Sequence, residues 1–160
     1  MTESTRSYAV EYWSPGLAGF ATLVVGRGRA SYWAGLLGPG PRFVLVNDDD
    51  VAVPRIPGSW EIRAEGLWAD ANCETAGEHW SFGLEAFGVS FDDADAAVTS
   101  DLGDRLALGY DLEWEAPDVV HGDILVGSER IDFDGRGRFE SPTAESPADR
   151  WRRLVRRHSR

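Results

Sequence analysis

The chain has 160 residues, 42% hydrophobic and 11% aromatic, which suits one ordinary globular domain and is too apolar and ring-rich for a disordered chain. Its formal charge of -11 is uneven: residues 1–149 carry -17, whereas residues 150–160 carry six Arg and no acid, and a body this acidic repels phosphate backbones, so the expectation is no nucleic acid bound through the main surface. The single Cys73 excludes an internal disulfide, no basic-then-apolar leader opens the chain, and no apolar run approaches the roughly 20 residues that span a bilayer, so the expectation is a cytoplasmic protein with no membrane span.

Short apolar runs alternate with turn residues along the chain, the spacing of an all-β fold. Tyr8 to Trp13 alternates and stops at Ser14-Pro15-Gly16; Phe20 to Val25 is a second strand and Ser31 to Leu37 a third. Arg42 to Val46 is a fourth, after which Asn47-Asp48-Asp49-Asp50 reads as a turn into Val51-Ala52-Val53. Pro54 and Pro57 place this last piece at a sheet edge or outside the sheet. Trp60 to Asp70 and His79 to Phe91 both alternate and are joined around Thr75-Ala76-Gly77. In the second, Trp80, Phe82, Leu84 and Ala86 share one face, while His79, Ser81, Glu85, Phe87 and Val89 share the other.

A helical turn or two is predicted over Asp92 to Ser100. Arg105 to Glu115 then separates cleanly, with Leu106, Leu108, Tyr110, Leu112 and Trp114 opposite Arg105, Asp111, Glu113 and Glu115. Val119 to Val126 and Arg130 to Phe133 make a hairpin over Gly127-Ser128, and Gly26-Arg27-Gly28 and Gly135-Arg136-Gly137 read as turns. Gly135 to Glu145 reads as a linker. Ser146-Pro147-Ala148-Asp149 has the form of an N-cap, a Pro at the first helical position and an acid in the first turn. Trp151, Leu154, Val155 and His158 would share the apolar face of that helix, with Arg152, Arg153, Arg156 and Arg157 around it, pairing with the acidic body of the same chain or of a second copy. The count is about nine antiparallel strands, a barrel or sandwich, with a short C-terminal helix.

Two polar groupings have chemical interest. His79, Ser81 and Glu85 share a strand face, and if that face points inward a His and a carboxylate would share an aromatic-lined cavity, where desolvation raises a carboxylate pKa and suits it to general acid work. Alternation alone leaves either face free to be the inside, and a hydrogen-bonded network closing a barrel end is the simpler role for these groups. His79 and His121, 42 positions apart with no metal-ligand spacing, do not define a metal site, and no motif calls for a cofactor.

The segment from Glu65 through Trp68, Cys73, His79-Trp80-Ser81-Phe82 and Gly88, followed by Asp111-Leu112-Glu113-Trp114-Glu115 and Val120-His121-Gly122-Asp123-Ile124-Leu125-Val126-Gly127, resembles uncharacterised actinobacterial proteins of the hydroxyneurosporene synthase (carotenoid 1,2-hydratase) and AttH-like group. That group is built from two lipocalin-like β domains in tandem, and the resemblance covers roughly residues 8–137, the first of the two. Relatives continue after this point into a Gly-x-Arg-Asp-His-Ser-Trp-Gly type motif; here the chain reads Gly137-Arg138-Phe139-Glu140-Ser141-Pro142 and ends in the Arg-rich helix, which puts hydratase activity in doubt and suggests a truncated paralogue.

These readings combine into a lipocalin-like β domain over residues 1–137, a linker over 138–145 and a basic amphipathic helix over 146–160. The leading expectation is a binding module for a hydrophobic, isoprenoid- or lipid-like small molecule, contacted by Trp68, Trp80, Phe82, Tyr110, Trp114 and His121. The alternatives are a hydratase- or cyclase-type enzyme with His79 and Glu85 as acid and base, and a non-catalytic half-domain that forms a homodimer in place of the second lipocalin unit.

Overall fold

The structure, a computed structural model, describes residues 7–53, 59–91 and 104–158. Ten antiparallel strands run in chain order: β1 (Tyr8–Ser14), β2 (Leu17–Val25), β3 (Ala30–Leu37), β4 (Phe43–Val51), β5 (Ser59–Ala64), β6 (Leu67–Thr75), β7 (His79–Phe91), β8 (Asp104–Glu115), β9 (Val119–Val126) and β10 (Glu129–Glu140). One helix, α1 (Pro147–His158), ends the chain. The predicted turn of helix at 92–100 and the prolines at 54 and 57 lie outside the described residues.

The strands form one sheet in the order β4-β3-β2-β1-β10-β9-β8-β7-β6-β5. Phe43, Val44 and Leu45 of β4 also pair with Phe91, Ser90 and Val89 of β7, which closes eight strands into a ring and leaves the β5–β6 hairpin attached beyond it. β7 makes this possible by its length: its C-terminal end pairs with β4 while residues 79–86 pair with β6 along the same edge. The fold is therefore an all-β, barrel-like sheet.

Four sequence expectations change in the structure. The alternating run from Trp60 to Asp70 is two strands, because Gly66 adopts φ +72 and turns the chain at Glu65-Gly66; this raises the strand count to ten. Asn47 to Asp50 is strand, not turn: Trp33 Nε1 donates to Asp49 Oδ1 at 2.7 Å, Arg29 pairs with Asp50, and a register shift between Ala30 and Tyr32 absorbs the irregularity. Gly135 and Gly137 lie inside β10, where the carbonyls of Trp13 and Glu11 come too close for any side chain. β10 consequently runs on to Glu140.

Two cores result from the alternation. Inside the ring, Val10, Tyr12, Leu23, Tyr32, Leu36, Val44, Leu84, Leu108, Leu112 and Ile124 are all buried, and Ile62 of the adjoining β5 belongs to the same core. Outside it, α1 covers β2 and β3: Trp151 is fully buried above Gly35, whose missing Cβ would stand 2.7 Å from the indole, and packs with Phe20, Trp33, Leu37 and Leu45. The helix begins as its sequence predicts, with Ser146 Oγ accepting from the Asp149 amide at 3.2 Å. Of the arginines expected to pair, Arg153 reaches acids of the body and Arg152 pairs with Asp149 of its own helix, but the central one is Arg150, whose side chain is wholly buried against the buried Glu11 of β1. Arg150 also donates to Thr143 Oγ1 at 2.6 Å and Glu140 Oε1 at 3.2 Å, and Arg153 joins both Glu11 and Glu145.

Candidate functional site

The inside of the barrel is filled by a continuous ladder of rings, supplied by alternate positions of six strands. Phe133 of β10 packs edge-on to Tyr12 of β1 at 5.3 Å, and Tyr12 lies 6.3 Å from Tyr110 of β8. The hydroxyls of Tyr110 and Tyr32 (β3) meet at 2.9 Å, and Tyr32 packs 6.0 Å from Trp60 of β5. Trp60 continues to Tyr8 at 6.3 Å, Tyr8 to Trp80 of β7 at 5.8 Å, and Trp80 stacks on Phe139 at 4.6 Å. Phe82 and Trp114 complete the group around Phe139 at 5.9 and 5.7 Å.

Tyr8, Trp60, Trp80, Trp114 and Phe139 all sit at one end of the barrel, where β1, β5 and β7 begin and β8 and β10 finish. Tyr8 and Phe139 are half-buried there, and the remaining three are 6–7% exposed. Rings this large crowded at one end of a closed sheet make an apolar end to the barrel, with only Tyr8 and Phe139 reaching appreciably toward solvent.

The ladder carries polar atoms of two kinds. Tyr32 and Tyr110 satisfy one another. Tyr12 Oη, Trp60 Nε1 and Trp114 Nε1 are buried and have no hydrogen-bond partner. Burial pushes the hydroxyl pKa of Tyr12, Tyr32 and Tyr110 well above the ordinary tyrosine range, so all three keep their protons. The buried charged side chains among the described residues are Glu11 and Arg150, which pair beneath α1 rather than among these rings.

The outer face of β6 to β9 is polar and open. His79 Nε2 lies 2.8 Å from Glu113 Oε1, and His121 Nε2 lies 3.1 Å from Glu115 Oε2, with Glu113 Oε2 4.0 Å from His121 Nδ1. Ser81 Oγ donates to Glu74 Oε1 at 3.0 Å. Beyond them two adjoining grooves of about 550 and 510 Å³ share Trp68, Glu85, Gly109 and Leu125. Gly109 leaves part of the floor bare, and the Trp68 indole lies over Gly83, where a Cβ would meet it at 3.1 Å. Cross-strand register places Asp70, Gly83, Asp111 and Asp123 in one row. Asp70 has its pKa raised, first by burial and then by Glu61 and Asp111, against the lowering effect of hydrogen bonds from Asn72 and the Gly83 amide.

Of the residues singled out in the sequence, Trp80, Phe82, Tyr110 and Trp114 thus join the interior ladder, whereas His79, Glu85, Trp68 and His121 stand on the outer face. His79 and Glu85 are separated along β7 by Ser81 and Gly83; His79 faces Glu113, and Glu85 is paired across to Gly109 and Trp68. Sequence reasoning missed Tyr8, Tyr12, Tyr32, Trp60, Phe133 and Phe139, although Tyr8 and Tyr12 stand at like parity in the first alternating run. Among the described residues no group of three or more His, Cys, Asp or Glu is arranged to hold a metal ion, and no helix is long and apolar enough to cross a membrane. Cys73 is half-buried and free.

Fold and site together define a barrel-like all-β protein with a ring-lined interior. No protein-family model matches the chain, and no curated protein or solved structure is significantly similar to it.

Proposed function

We propose that this protein is a lipocalin-like binding module for one hydrophobic small molecule, admitted at the aromatic end of the barrel and held among its interior rings, which part to receive it. The observation that carries the reading is the ladder of rings from Phe133 to Trp114, borne by strands of the eight-stranded ring except for Trp60, which the adjoining β5 supplies. Barrels of this strand number hold at most one small ligand, and their interiors take its apolar surface out of water. The resemblance of residues 8–137 to a lipocalin-like domain of the hydroxyneurosporene synthase group agrees with an isoprenoid- or lipid-like ligand, and the single Cys73 agrees with a cytoplasmic setting. His79 and Glu85 face away from this interior, which weighs for binding over acid–base turnover of an enclosed ligand.

The test is titration with N-phenyl-1-naphthylamine, a neutral apolar dye, in the wild type and two variants. Phe139→Arg puts a charge at the aromatic end, and Leu125→Asp puts one in the outer groove. The proposal predicts saturable one-to-one binding that Phe139→Arg abolishes and Leu125→Asp leaves within about threefold, less than 1 kcal/mol. Absence of saturable binding, or loss of binding in Leu125→Asp alone, overturns it.

A further inference from the structure

The unpartnered donors inside the ladder carry the ligand's chemistry a step further, resting on the proposed interior site. An indole N–H can only donate, and a buried donor without an acceptor is a destabilising group that folded proteins rarely retain. This chain retains three such groups on one ring ladder: Trp60 Nε1, Trp114 Nε1 and Tyr12 Oη, on residues 6%, 7% and 1% exposed. Outside the ladder, Arg42 Nη1 and Arg150 Nε are also unpartnered, but each belongs to a guanidinium paired through another nitrogen, and other aromatic donors are satisfied. Trp33 Nε1, at the edge of the outer core, is given Asp49, and the Tyr32 and Tyr110 hydroxyls are given each other.

The sign of the unmatched groups is consistent. The two indoles can only offer hydrogens and the Tyr12 hydroxyl can offer one, and the one buried carboxylate among the described residues, Glu11, lies on the opposite face of β1, beneath α1. The one buried cation among the described residues, Arg150, is paired with Glu11 beneath α1 and so does not balance a negative charge among the rings. We infer that the ligand is an apolar molecule bearing a neutral acceptor oxygen, a ketone, aldehyde, ester or ether, and that it is neither a pure hydrocarbon nor a carboxylate. The oxygen accepts from one or more of Trp60, Trp114 and Tyr12 while the carbon skeleton lies against the other rings.

The experiment is displacement of N-phenyl-1-naphthylamine at neutral pH by decane, 2-decanone and decanoate. A ketone leaves water less willingly for an apolar medium because its carbonyl gives up water hydrogen bonds, so tighter binding of the ketone requires a donor inside the protein. The expected result is 2-decanone binding at least about tenfold more tightly than either decane or decanoate. In Tyr12→Phe, Trp60→Phe and Trp114→Phe, each keeping a ring, the advantage of the ketone over decane should fall severalfold in at least one. Decane and 2-decanone bound equally by the wild type, a preference for decanoate, or a ketone advantage untouched in all three variants overturns the inference while leaving the interior site standing. Failure of all three compounds and of the dye to bind removes the interior site itself.

Discussion

Removing Arg150 tests how the helix is tied to the barrel. Arg150→Met keeps most of the side chain's length and deletes its charge, leaving Glu11 at 2% side-chain exposure with Arg153 and, at 3.4 Å, the half-exposed Arg138. Breaking a buried pair by taking away one partner costs about 3–5 kcal/mol, because the remaining charge stays desolvated. Two cations still face Glu11, which places the loss near the lower end, about 3 kcal/mol, a large part of the roughly 5–15 kcal/mol that holds a domain folded. With a urea slope of about 2 kcal/mol per molar, the midpoint of unfolding should fall by about 1.5 M. Glu11→Gln combined with Arg150→Met removes the stranded charge and should recover more than half of that fall. Urea denaturation followed by tryptophan emission reads both. A shift below about 0.5 M for the single variant, or a double variant no more stable than the single, would show that the buried pair does not hold the helix in place.

Three further expectations concern the rings and the outer row. Tyr32→Phe leaves the Tyr110 hydroxyl buried without its 2.9 Å partner and should cost about 1–3 kcal/mol, whereas Tyr12→Phe removes a hydroxyl that has no partner and should be neutral or stabilising by up to about 1 kcal/mol; thermal unfolding of the two side by side checks the contrast. Trp151→Ala opens a cavity above Gly35 and should cost about 3–5 kcal/mol by urea unfolding, with light scattering reporting the newly uncovered Phe20, Trp33 and Leu45. Asp70 is held above its ordinary pKa of 3.8, so the folded state binds more protons than the unfolded one and stability falls as pH rises from the ordinary carboxylate value through the raised one. Asp70→Asn should therefore be more stable than the wild type at neutral pH and lose that segment of the pH–stability curve; an unchanged curve refutes the assignment.

Much of the barrel is legible in the sequence because alternation is a physical consequence of burying one strand face. Leu108, Tyr110, Leu112 and Trp114 are inside as their parity requires, the hairpin over Gly127-Ser128 forms at the expected place, and the Ser146-Pro147 cap starts α1. The turn at Glu65-Gly66 also leaves a trace, subtler than a break in the alternation: the inward residues change from even positions, Trp60 and Ile62, to odd ones, Leu67, Ala69 and Ala71. Gly135 and Gly137 mimic a turn in sequence but serve the approach of β1 backbone and neighbouring rings, a requirement visible only once β1 and β10 are paired. The facing of His79 and Glu85 depends on which side the sheet curls toward, and local alternation is silent about curvature. Nor does local sequence show that Arg150 is buried, since its partner Glu11 lies 139 positions away.

The most direct measurement of the central claim is native mass spectrometry of the protein purified gently from its own host. The account predicts a monomer carrying one hydrophobic molecule, whose mass and fragments include a neutral carbonyl or ether oxygen and which is absent from Phe139→Arg purified in parallel. A wild-type protein that is uniformly empty, or a bound molecule retained undiminished by Phe139→Arg, would contradict it.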